Sequence, residues 1–171
     1  MHLWVGLGNP GDKYLKTRHN VGAIILQQLS RECDYKFDKS LNSLIGKNSA
    51  SDIKLIYLIP QTFMNLSGDA VIKALRSFKI LPANMVVFHD EIELPPQKVS
   101  YKFGGGHRGH NGLRDIIQKI GTADFHRVRI GVGRPDNEYI SVADYVLSNI
   151  PQKDIPDINE VEMLLRKENL I

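Results

Sequence analysis

At 171 residues, with 42% hydrophobic and 24% charged, the chain has the size and composition of one ordinary globular domain. That excludes a collagen-like, coiled-coil or disordered chain, and a miniprotein that needs staples to fold. Cys33 is the single cysteine and cannot close an internal disulfide. No apolar run approaches the roughly 20 residues that span a bilayer, and the N-terminus lacks the basic start and apolar region of a signal peptide, so the expectation is a cytoplasmic protein with no membrane partner.

In chain order, His2 to Leu7 reads as a short buried strand stopped by the turn Gly8-Asn9-Pro10-Gly11. Asn20 is placed to cap a helix running to about Arg31, since Val21, Ile24, Ile25, Gln28 and Leu29 recur at helical spacing. Residues 41–50 and 53–59 read as two strands of a hairpin around Ser51-Asp52, the second ended by Pro60. Ser67 suits the cap of a helix to about Lys79, with Val71, Ala74, Leu75 and Phe78 on one face. Met85 to Phe88 is an apolar strand that delivers His89, Asp90 and Glu91 at its carboxyl end. Residues 98–103 alternate like a half-exposed strand, 104–112 is a loop, and 113–120 is a helix stopped by Gly121. Val128 to Val132 is a last central strand. Two further helices are expected, at 142–148 capped by Ser141 and at about 154–168, with Pro156 near the start of the second and Ile158, Val161, Leu164 and Leu165 turned inward. The acidic residues that begin that helix and the Arg166-Lys167 that end it match its dipole. Strands alternating with helices predict an α/β sandwich, a single domain spanning 1–171 with a twisted mixed sheet flanked by helices. Its ligand site is expected at the carboxyl ends of the strands.

The net charge of +3 is unevenly placed. Residues 97–134 hold eight basic side chains against two acidic ones, together with three of the six histidines, which is what a phosphate-binding face requires. A solvated surface strip accounts for the charge equally well. Gly6, Gly8 and Gly11 fit a dinucleotide-binding spacing, but no helix opens at the third glycine, and an acidic residue about 20 positions on would fall near a helix end rather than a strand end. A tight turn that exposes Asn9 explains these glycines better. Residues 104–112 contain five glycines in nine, so the backbone there can approach a ligand closely, yet the Gly-Lys-Ser/Thr of a nucleotide P-loop is missing. His107 and His110 have no cysteine partner and no His-Glu-x-x-His helix, so no metal is expected. No Gly-x-Ser-x-Gly is present and Cys33 lies on a core-facing helix, which leaves a histidine and a water as the candidate chemistry. His19 precedes a helix and can face the strand ends. With Asp90 to hold its tautomer and with amides from Asn9, Asn65 and Asn111 to bind a carbonyl and its oxyanion, the set favours hydrolysis.

Residues 6–22 (GLGNPGDKYLKTRHNVG), 61–68 (QTFMNLSG), 89–95 (HDEIELP) and 103–114 (FGGGHRGHNGLR) together resemble bacterial peptidyl-tRNA hydrolase, the metal-independent family that cleaves the ester joining a peptide to tRNA. Residues 125–135 (FHRVRIGVGRP) are also similar. The resemblance covers residues 6–147. It implies that His19 is the catalytic base and Asp90 its partner. Asn9, Asn65 and Asn111 would bind the peptide and the terminal adenosine of tRNA, with Tyr14, Phe63, Met64 and His110 contributing to the same groove. Lys102 and Arg129 match the family's basic clamp for the 5′ phosphate of tRNA. The implied partner is peptidyl-tRNA, no cofactor or metal is implied, and the family expectation is a monomer. Arg108 stands where the family often has glycine, and the tail ending at Ile171 is shorter than is usual for the family. Two other classes stay open from the residues themselves: an RNA-binding module without catalysis, and an esterase or amidase for small substrates, which would have no use for the basic segment.

Overall fold

The computed structural model describes residues 1–48 and 53–171. A seven-stranded mixed sheet forms its centre, built from β1 (His2–Gly6), β2 (Lys36–Asp38), β3 (Ser43–Asn48), β4 (Leu55–Pro60), β5 (Met85–Glu91), β6 (Val99–Phe103) and β7 (His126–Gly131), in the order β2-β3-β4-β1-β5-β7-β6. The inner strands β4, β1, β5 and β7 run parallel, and β2, β3 and β6 complete the sheet through antiparallel pairs. The continuous apolar runs of β1, β4 and β5 follow from this place, because a parallel strand is covered on both faces. Among the described residues no helix is long and apolar enough to cross a membrane.

Two apolar layers sandwich the sheet. On one face, Val5, Leu58 and Val87 pack against α2 (Ser67–Phe78) and α3 (Asn111–Ile120). On the other, Trp4, Tyr57, Phe88 and Val128 pack against α1 (Val21–Leu29) and α5 (Ile158–Lys167). Strand β7 alternates: Val128 and Ile130 face the second layer, which places Arg127 and Arg129 on the opposite face. Close approaches fix the helices. Gly22 brings α1 against the Phe88 carbonyl of β5, and a Cβ at Gly68 would lie 2.5 Å from the Asp115 carbonyl oxygen of α3. Asp115 Oδ2 accepts the Gly68 amide at 2.8 Å, so a residue of α3 satisfies the first turn of α2.

The α/β sandwich agrees with the sequence reading, and several local expectations do not. Ser67 is the first residue of α2 rather than its cap; Leu66 holds the cap position, and the Ser67 hydroxyl donates to the carbonyl of Met64, the first residue of a short 3-10 turn. The last helix starts at Ile158, not at 154, because Pro156 keeps Ile155 extended; Asp157 caps it by accepting the Asn159 amide. Asn20 occupies the cap position of α1 but makes no capping bond. The first hairpin strand begins at Ser43 and the second at Leu55, in antiparallel register, while residues 49–52, which contain the expected turn, lie outside the described residues. Strand β2 has no counterpart in the sequence reading, and the expected 142–148 helix is the shorter α4 (Val142–Val146), capped by Ser141. The last parallel strand runs from His126 to Gly131 and is half polar, one place in from the sheet edge.

Candidate active site

The predicted site residues line two adjoining hollows: His19, Asp90 and the asparagines sit where the parallel strands end, whereas Lys102, on antiparallel β6, pairs with Arg127 near the start of β7. The first, about 460 Å³, is lined by Asn9, Tyr14, Phe63, Met64, Asn65 and Asn111, with α4 as one wall. The second, about 280 Å³, is lined by Asp90, Lys102, His110, Arg127 and Arg129 and by the glycine loop after β6. His19 and Asn111 border both.

His19 sits in a 3-10 turn, Arg18–Asn20, immediately before α1. The segment containing that turn is pinned to the chain after α4: the Arg18 amide donates to the Ser148 carbonyl, the Ile150 amide to the Lys16 carbonyl, and the Arg18 guanidinium lies 4.1 Å from the Tyr145 ring centre. Asn20 turns away from its helix to bond the turn after β1 twice, accepting the Asn9 amide at 2.8 Å and donating to the Asn9 carbonyl at 2.9 Å. The Asn9 side-chain oxygen then accepts the Met64 amide at 2.7 Å. That bond fixes the orientation of the Asn9 amide and leaves its NH₂ as the donor it can offer a ligand.

Asp90, near the end of β5, is buried between two imidazoles. Its Oδ2 lies 2.8 Å from His19 Nδ1 and its Oδ1 lies 2.7 Å from His110 Nε2. His110 is the cap of α3, and its Nδ1 accepts the amides of Gly112 and Leu113 at 3.2 Å each. Since backbone amides can only donate, Nδ1 is the unprotonated nitrogen and Nε2–H donates to Asp90. The sequence reading made His110 a groove residue; it is also the link from the α3 N-terminus to the carboxylate. With Asp90 ionised, His19 Nδ1–H donates to it, and the second nitrogen of His19 has no protein partner among the described residues. Burial disfavours the charge on His19, but Asp90 outweighs it, so its pKa is raised above 6.5. Burial alone would raise the Asp90 pKa, yet His19 and His110 hold it well below the usual carboxylate range.

The same three residues bring potential metal ligands within 4.8 Å of one another. Two imidazoles and a carboxylate are metal-type donors, but here they are hydrogen-bonded to one another. An ion on His110 Nε2 would leave the ring's proton on Nδ1, facing two amide donors, and the cap of α3 would be lost.

Sequence reasoning missed two residues beside this centre. His89 is fully buried; its Nδ1 donates to the Asp90 carbonyl at 2.8 Å, and burial, followed by the charge of His110, lowers its pKa to about 3. Arg127 is only 2% exposed and donates to the carbonyls of Gly105 and Gly106. Its alternation with Val128 was the available signal. Arg129 pairs with Glu91 at 3.5 Å and donates to Ser100 at 2.9 Å, while Lys102 lines the same hollow.

The family model for peptidyl-tRNA hydrolase matches residues 3–168. The chain belongs to the peptidyl-tRNA hydrolase family. A member from Ruegeria sp. is 50% identical over 90% of this chain, which spans 62% of that longer protein. Members from Dichelobacter nodosus and Geobacter sulfurreducens are 43% and 45% identical, and the match covers 94% and 91% of this chain and 85% and 80% of theirs. The crystal structure of the Acinetobacter baumannii peptidyl-tRNA hydrolase superposes with a TM-score of 0.88 at 35% identity, covering 99% of this chain and 90% of the other. Against that family background Arg108 has a conformational reading. Its φ of 47° is one that glycine adopts without strain, and its side chain is exposed at the tip of the loop.

Proposed function

We propose that this chain hydrolyses the ester between a peptide and the 3′ end of tRNA by base-assisted attack of water. The observation that carries the mechanism is the chain of hydrogen bonds from the α3 N-terminus through His110 and Asp90 to His19, which ends, at the junction of the two hollows, on an imidazole nitrogen with no protein partner among the described residues. That nitrogen takes a proton from water as the oxygen attacks the ester carbonyl. Charge builds on the carbonyl oxygen, and the Asn9 NH₂, oriented by the Met64 amide, supports its stabilisation there. The ribose hydroxyl leaves as the carbonyl re-forms, taking the proton that His19 holds. Asn65, Asn111, Tyr14, Phe63 and Met64 take the peptide and terminal adenosine. Lys102 and Arg129 face the 5′ phosphate, and the basic excess of residues 97–134 supports that direction for the tRNA body. This reading takes the enzyme as a cytoplasmic monomer that needs no metal or cofactor.

The test is single-turnover hydrolysis of an N-blocked aminoacyl-tRNA in EDTA by the wild type, His19→Ala and Asp90→Asn. Chelator-resistant cleavage that is largely lost in both variants is the expected result. Retained tRNA binding without wild-type cleavage would make the chain a binding module.

A further inference from the structure

Arg127 is the one buried arginine or lysine among the described residues, and it has no carboxylate within ion-pair distance. Burying an unpaired cation is costly, so its surroundings must answer for it. Those in contact are two loop carbonyls, of Gly105 and Gly106, and the face of Phe125 at 4.7 Å, while Nε has no partner among the described residues; the Glu91 carboxylate acts on it from beyond ion-pair distance, against the repulsion of Arg129. Register sets Arg127 opposite Lys102 on the neighbouring strand.

The loop it holds is one that glycine favours. Gly104, Gly105 and Gly109 have φ of 68°, 91° and 83°, and a Cβ on Gly105 would lie 2.5 Å from Lys102 Nζ. In a planar trans peptide the carbonyl and the following amide point in opposite directions. The carbonyls of Gly105 and Gly106 are turned inward onto Arg127, so the amides of Gly106 and His107 are turned away from it, and neither has a backbone partner among the described residues.

We propose that Arg127 is a positioning residue for tRNA: by pulling two carbonyls of the glycine loop inward it presents the Gly106 and His107 amides, beside Lys102, to a backbone phosphate of the substrate. This rests on the reading of function above and adds a main-chain anion contact to it. The guanidinium acts through the loop and does not touch the reacting ester.

Arg127→Met and Arg127→Lys are compared with wild type on an N-acetyl-aminoacyl-tRNA and on the phosphate-free N-acetyl-aminoacyl-adenosine, after thermal melts establish that each is folded. Arg127→Met is expected to raise KM for the full tRNA roughly tenfold, leave kcat within about twofold, and leave the short substrate unaffected. Arg127→Lys keeps the charge and loses the two-pronged donor, so it is expected to move KM the same way by less. An equal fall of kcat and kcat/KM on both substrates, or an unchanged KM, would overturn the assignment. A measurement on the wild type removes any dependence on variant folding: the Gly106 and His107 amide resonances are followed as a 5′-phosphorylated acceptor-stem RNA hairpin is added. They are expected to shift; unmoved amides in a chain that cleaves peptidyl-tRNA normally would refute this inference alone, whereas a wild type that cannot cleave would refute the reading of function.

Discussion

Replacing Asp90 with asparagine tests the hydrogen-bond chain most sharply, because the two imidazoles then compete for one carbonyl oxygen. A carboxylate satisfies both N–H donors, but asparagine offers an oxygen to one and an NH₂ to the other. His110 is held in its tautomer by two amide bonds at 3.2 Å. Turning the NH₂ toward His110 would sacrifice both, at about 1 kcal/mol each. The difference of about 2 kcal/mol favours the carbonyl toward His110 by roughly 30-fold. His19 must then accept from the NH₂ through Nδ1, which puts its proton on the nitrogen that should take one from water. Together with the lost negative charge beside the forming imidazolium, the expected loss is about 10²- to 10⁴-fold in single-turnover hydrolysis of N-acetyl-aminoacyl-tRNA. The same logic predicts a partial rescue. In an Asp90→Asn, His110→Ala double variant nothing opposes the productive orientation of the asparagine, and cleavage is expected to be roughly tenfold faster than in Asp90→Asn alone. A double variant as slow as the single one, or slower, would refute the tautomer argument.

The other predictions concern pH and packing. Because Asp90 raises the His19 pKa, the acid limb of kcat/KM is expected to have its midpoint above 6.5; a midpoint at or below the free histidine value would count against His19 as the base. As the folded value is the higher one, the stability His19 contributes is complete below pH 6.5 and is lost as pH rises through the raised value. His89 behaves oppositely, since its folded pKa is lowered to about 3: below pH 6.5 the unfolded state takes up a proton that the folded state refuses, costing about 1.4 kcal/mol per pH unit. Urea melts from pH 7 to 4.5 should show that slope, and His89→Gln should flatten it. Gly22→Ala drives a methyl into the Phe88 carbonyl where α1 meets β5, and is expected to cost about 1–3 kcal/mol in chemical denaturation. Asp115→Ala uncaps the first turn of α2 from across the helix interface and should cost about 1–2 kcal/mol, with a thermal midpoint unchanged from wild type arguing against that cap.

The strands that centre the fold were legible because they are apolar on both faces, and His19, Asp90 and the asparagines were legible because polar residues cluster where those strands end. The role of His110 was not legible: its value as a cap and as a partner of Asp90 depends on α3 starting at Asn111 beside the end of β5, a distance across the fold that no local spacing encodes. Asn20 reads locally as a helix cap, yet the backbone of Asn9 outbids the helix for its side chain. Ser67 failed as a cap for a similar reason, since the preceding 3-10 turn runs directly into α2. In β7 the alternation of arginine with valine and isoleucine showed a half-polar strand but not that Arg127 would be roofed by a glycine loop. The three residues of β2 carry too little periodicity to be seen at all.

The place of β1 at the centre of the sheet also has a kinetic side. Its neighbours pair with it through Leu55 onward and Met85 onward, so neither flank of this apolar strand can close until chain far downstream is available. Contacts of such sequence separation cost loop entropy before they return any burial, which slows folding and leaves the strand exposed meanwhile. During synthesis β1 precedes both of its partners. Until β5 emerges one edge of this apolar strand has no partner, a surface open to other unfolded chains or to a chaperone.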